Sequence, residues 1–152
     1  MVTRREFLDA LAVGAASLAV GSTAKSYGQI LGSNDRLNFA VIGLNGRAYA
    51  HLSALKANRS AARLTHVCDV DSNILKKFAD SAQREMGEAP VSEKDFRRIL
   101  EQKNVDAITI ATPDHWHTPM AIAGLQAGKH VYVEKPCSHN PAEGEMLLEA
   151  RE

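Results

Sequence analysis

Four short apolar runs set what this chain can fold into. They are "RLNFAVIG", "RLTHVCDVD", "VDAITIAT" and "HVYVEKP". A continuous apolar run is the pattern of a strand covered on both faces. Between the runs lie segments with helical patterning: "AYAHLSALKAN", "SNILKKFADSAQREMG", "SEKDFRRILEQ" and "WHTPMAIAGLQAGKH". Strands alternating with such segments predict right-handed crossovers and a doubly wound parallel sheet, an α/β fold. No internal repeat is visible beyond this alternation.

Local signals set the helix ends. Ser72 reads as the cap of the second helix and Gly87 as its stop. Ser92 reads as the cap of the third, with Asp95 as its capping partner and Phe96, Ile99 and Leu100 at helical spacing behind. Gly128 ends the fourth. "NPAEGEMLLEARE" opens with Asn140 as N-cap and Pro141 at the first helical position. No Gly, Asn or Pro follows to stop it, so a further part of the chain is expected downstream.

Residues 1–35 are of another kind. Arg4 and Arg5 precede an apolar run from Leu8 to Val20 that is rich in small residues, and Ser22, Thr23 and Ala24 follow. That is the layout of a twin-arginine signal peptide, with a polar linker to residue 35. It predicts export by the twin-arginine machinery to the periplasm or beyond. The folded domain is placed at residues 36–152. Charge is balanced, 18 basic against 18 acidic residues, which argues against nucleic acid or an anionic membrane surface as partner.

Parallel sheets of this kind bind ligands at the carboxyl ends of their strands, and the unusual residues cluster there. The first run ends in Gly43-Leu44-Asn45-Gly46-Arg47-Ala48 and leads into a helix. Gly43 and Ala48 fit the first and third positions of a dinucleotide-binding glycine turn. Asn45 replaces the second glycine; asparagine tolerates left-handed backbone, which keeps the turn possible. Asp69 closes the second run, where an acid meets the ribose of a bound dinucleotide. The third run ends in "ATPDHWHTP". The loop is expected to line the cleft, with Thr112 and Pro113 against the cofactor and His117, which starts the next helix, among the cleft residues. Asp114, His115 and His117 lack the spacing and cysteines of a structural zinc site, so no metal is expected. Trp116, the only tryptophan, reads as packing.

These motifs, "GLNGRA", "CDVD", "ATPDHWH" and above all "AGKHVYVEKP", resemble the Gfo/Idh/MocA oxidoreductases. The resemblance runs from about Arg36 to Glu152, and the leader and "DHWH" look like its secreted bacterial branch. It implies a Rossmann fold binding NAD, a small carbohydrate substrate and hydride transfer. It implies that Lys135 contacts the substrate hydroxyl beside the nicotinamide, with Glu134 and Pro136 lining the cleft and the Lys135–Pro136 bond cis. A rigidly placed lysine, tuned by burial, suits a site where an alcohol oxygen gains charge. Glu134 need not pair with Lys135, because neighbours on a strand point to opposite faces; it is expected to orient backbone or loop groups.

The resemblance also implies a second α/β domain that covers the cleft, supplies further catalytic groups and mediates a homo-oligomer. That domain is expected to be absent from this chain, which alone should turn nothing over. The leading function is NAD(H)-dependent oxidoreduction of a sugar, cyclitol or related polyol. The alternatives are an NAD-dependent glycosidase of the same family and a truncated nucleotide-binding remnant. The two cysteines are expected to stay free. In the strand order 3-2-1-4-5, Cys68 and Cys137 lie three spacings of ~4.8 Å apart, about 14 Å, beyond the roughly 7 Å a disulfide spans.

Overall fold

The computed structural model describes residues 36–152. The leader and linker read at residues 1–35, Arg4 and Arg5 included, lie outside the described residues. The elements alternate as predicted: β1 (Leu37–Ile42), α1 (Ala48–Ala57), β2 (Ala62–Cys68), α2 (Ser72–Met86), β3 (Val91–Glu93), α3 (Phe96–Leu100), β4 (Ala107–Ile110), α4 (His117–Gln126), β5 (His130–Val133) and α5 (Pro141–Arg151). A single 3-10 turn, Asp114–Trp116, precedes α4. The sheet is wholly parallel in the order β3-β2-β1-β4-β5.

The central strand shows why the apolar runs are continuous. Val41 packs on one side with Leu52, Leu64, Val67 and Phe78, under α1 and α2. Its neighbours Ala40 and Ile42 pack on the other side with Ile99, Ile108, Ile110 and Met120, under α3 and α4. Successive side chains alternate between two covered faces, so every position of β1 from Ala40 onward is apolar and buried.

Four local expectations are corrected. The order 3-2-1-4-5 requires five strands, and the missing one is Val91–Glu93, which overlaps the start of the segment read as the third helix. That helix begins at Phe96 with Asp95, not Ser92, as its cap; the Asp95 carboxylate accepts from Arg97 N–H. Likewise Asp71, not Ser72, caps α2, accepting from the N–H groups of Asn73 and Ile74. Both corrections follow one rule: the carboxylate at the last extended residue satisfies the open donors of the first turn. Finally, Asn45 is not left-handed, since no described residue other than glycine has positive φ. Its side-chain oxygen instead accepts from the N–H of Gly46, 2.9 Å away. α2 ends at Gly87, and Asn140 caps α5 by accepting from Glu143 N–H. The Lys135–Pro136 bond is cis. Cys68 and Cys137 are both free.

Candidate functional site

The carboxyl edge of the sheet brings the site together. Beyond each strand end, one more backbone N–H extends the ladder. Gly43 donates to Cys68, Asp69 to Glu93, Ala111 to Ile42 and Glu134 to Ile110. Residues far apart in sequence are thereby fixed side by side on one rigid frame.

Gly43 is the tightest point. Its φ of 82° is left-handed, and a Cβ there would lie 2.6 Å from the backbone nitrogen of Thr112. Only glycine lets the turn after β1 pass so close to the end of β4. Asp69 clamps the same turn: one carboxylate oxygen accepts from Leu44 N–H at 2.8 Å, the other from Asp71 N–H at 3.0 Å. Behind the turn, Ala48 is buried while Asn45, Gly46 and Arg47 are exposed. No side chain caps the N-terminus of α1. Thr112 carries a buried hydroxyl without a hydrogen-bond partner. Gly43, Asp69, Thr112 and Pro113 line one cavity of about 450 Å³.

His117 does not line the cleft. It is the first residue of α4, only 3 % exposed, and sits beneath the strand ends. Its Nδ1 lies 2.7 Å from the carbonyl of Pro136 and its Nε2 lies 2.8 Å from that of Thr112. Both partners are acceptors, so the ring pins two loops together, and a neutral ring donates to one of them at a time. Thr118 adds a third tie, donating to the carbonyl of Cys137. Pro136 is thus held through its backbone at the mouth of the site.

Lys135 follows β5 and is exposed. Glu134 is the buried member of the pair, 7 % exposed. It engages a partner the sequence reading did not assign: Arg47 Nε donates to Glu134 Oε1 at 2.5 Å. The hydrogen bond from Arg47 holds the Glu134 carboxyl below the usual carboxylate range. His51, one turn along α1, brings Nε2 within 3.1 Å of the same oxygen, though outside hydrogen-bonding geometry. Burial lowers the His51 pKa, and Glu134 partly opposes that. Lys135 N–H donates to the other Glu134 oxygen at 3.4 Å. Glu134 therefore does orient backbone, as expected, and also ties the strand end to the glycine turn. No local signal marks that pair, whose members stand 87 positions apart.

Sequence and structure comparisons agree with this geometry. The family model described as "Oxidoreductase family, NAD-binding Rossmann fold", for the Gfo/Idh/MocA proteins, matches residues 37–152. A glycosyl hydrolase family 109 protein of Saccharopolyspora erythraea is 30% identical, over 88% of this chain and 33% of that protein. A WlbA dehydrogenase from Bordetella pertussis, solved with NADH and UDP-GlcNAcA, is 28% identical with a TM-score of 0.67, over 76% of this chain and 33% of that one. A 3-ketoreductase from Actinomadura kijaniata, solved with NADP and TDP-benzene, is 26% identical with a TM-score of 0.66, over 76% of this chain and 34% of that one. The chain spans about a third of the length of the curated relatives it matches.

Proposed function

The chain belongs to the Gfo/Idh/MocA oxidoreductase family, and from that premise we propose that it forms the cofactor half of an NAD(H)-dependent oxidoreductase acting on a sugar, cyclitol or related polyol. The observation that carries the reading is the cavity shared by Gly43, Asp69 and Thr112, with Lys135 on a neighbouring strand end.

The residues fit a dinucleotide. Thr112, whose buried hydroxyl has no partner, adjoins a turn that a Cβ would fill, and the positive end of α1, without a side-chain cap, follows that turn where a pyrophosphate would sit. Asp69 suits the ribose hydroxyls, which favours NAD over NADP. Bound NAD would supply the hydride acceptor. Lys135 is then the group to hold the proton of the substrate hydroxyl, or to stabilise its oxygen as charge develops. Glu134, Arg47 and His117 hold the backbone that carries it.

A second reading, an NAD-dependent glycosidase, is favoured by the family 109 names among the relatives. In both readings the substrate side of the site belongs to a second domain, which also mediates oligomers. The leader at Arg4 and Arg5 supports export by the twin-arginine route; replacing both by lysine should retain the protein in the cytoplasm.

The test uses a chain carrying the second domain. Substrate-dependent NADH formation supports the oxidoreductase, whereas glycosidic cleavage without net NADH selects the second reading. Lys135→Ala should lower kcat by about a hundredfold or more with NAD affinity little changed. A near-normal kcat would return Lys135 to an ordinary surface turn. Residues 36–152 alone should bind NAD weakly and turn nothing over, since catalysis needs groups on both sides of the substrate.

A further inference from the structure

One carboxylate oxygen at the end of β5 has two basic neighbours, one from the glycine turn and one from α1. Glu134 Oε1 accepts from Arg47 Nε at 2.5 Å, and His51 Nε2 lies 3.1 Å from the same atom. Their settings are opposite. The Arg47 side chain is 61 % exposed, whereas that of His51 is 11 % exposed. The His51 ring stands edge to face with that of Tyr132, centroids 5.4 Å apart. Its Nε2 is buried without a hydrogen-bond partner among the described residues. Such atoms are normally paired, because an unmatched buried polar group is costly. Here the acceptor is in place and is already taken by Arg47.

Resting on the dinucleotide reading, we infer that His51 is a positioning residue that replaces Arg47 on Glu134, so that an anion taken up at the glycine turn brings a proton onto His51. A pyrophosphate at the start of α1 competes with Glu134 for the Arg47 guanidinium, which suits either partner. Glu134 cannot follow Arg47 out. Its N–H is fixed to the carbonyl of Ile110, and its side chain is buried. A buried carboxylate left unpaired is strongly unfavourable, and His51 is the group at hand that can take up a charge. Protonated Nε2 then donates to Glu134 Oε1, while the other oxygen keeps its bond from Lys135 N–H. The strand end that carries Lys135 thus stays in place while the glycine turn is occupied. The groups around His51 fit this exchange. Burial keeps the proton off, Glu134 draws it on, and Arg47 repels it. Tyr132 is the remaining titratable group against the ring. Drawing Arg47 away cancels the repulsion and leaves the attraction.

The experiment follows the histidine rings of the whole chain by NMR against pH, with His51 assigned by the signal missing from His51→Gln. Without ligand, Arg47→Gln should raise the His51 pKa by about one unit or more, and Glu134→Gln should lower it. Failure of either shift would overturn the exchange. Saturating NAD should move His51 in the unaltered chain in the same direction as Arg47→Gln does. Calorimetry of NAD binding in buffers of different ionisation heat then counts protons. Near His51's ordinary value of 6.5 the unaltered chain should take up a sizeable fraction of one proton per NAD, and His51→Gln should lose most of it. A His51 that only packs would lower the melting temperature of His51→Gln and leave the proton count as it was, which would overturn the inference. Heat of NAD binding without proton uptake, as when a neutral Nε2–H takes the place of Arg47, would overturn it too and leave the dinucleotide reading standing. No heat of NAD binding would overturn that reading and the coupling with it.

Discussion

Arg47 Nε donates to Glu134 Oε1 at 2.5 Å, which ties the glycine turn before α1 to the end of β5. The two side chains are unequal: that of Arg47 is 61 % exposed, whereas Glu134 is buried. Their loss should therefore be unequal too. Arg47→Ala strands a buried carboxylate with only His51 and one backbone N–H beside it. Glu134→Gln removes the buried charge and releases Arg47 into water. Arg47→Ala should lower the melting temperature more than Glu134→Gln; equal or reversed effects would mean the pair is not what holds Glu134.

The same cluster makes stability depend on acid. Burial depresses His51, so the fold resists its protonation. Stability is full above its ordinary value of 6.5 and falls as pH drops from there through the folded value. His66 is depressed by burial in the same way. Glu134 is depressed by its hydrogen bond to Arg47, so its contribution is lost only as pH falls below the ordinary 4.5 and through the folded value. All three act in one direction. Denaturation midpoints should fall between about pH 8 and about pH 5, and His66→Gln should flatten part of the slope.

Gly43→Ala should cost about 1–3 kcal/mol or more, because the added carbon meets the backbone of Ala111 and Thr112 rather than a side chain that can turn away. NAD binding should be lost with it. Chemical denaturation and calorimetry check both halves; a variant of ordinary stability would show that the ends of β1 and β4 can part.

Asp69 should reject a phosphate on the adenosine ribose. At an effective dielectric of ~20, one unit charge at about 5 Å costs roughly 3 kcal/mol, less when solvated. NAD should bind at least about tenfold tighter than NADP, and Asp69→Asn should narrow the gap. Equal affinity of the unaltered chain for both would remove Asp69 from the ribose.

The two cysteines should differ in reactivity. Burial pushes the Cys68 thiol up to about 12, with the nearby Asp69 adding to it. Cys137 is exposed. A maleimide at neutral pH should label Cys137 in the native protein and Cys68 only after unfolding. Rapid labelling of both would mean that the β2 end is open.

Much of this architecture was legible because it is local. An apolar run marks a strand covered on both faces, a glycine or acid marks its end, and alternation with helices leaves few topologies. Gly43, Asp69, Thr112 and Lys135 could be named because parallel strands deliver all their carboxyl ends to one edge. β3 was missed because its three residues are not buried and carry no apolar run. The bonds of His117 to two carbonyls, the pairing of Arg47 with Glu134 and the exposure of Trp116 had no local signature. Each depends on which loops the strand order sets side by side, and on how much water reaches the space between them. Those are distances across the folded chain, and only the packing of the sheet edge decides them.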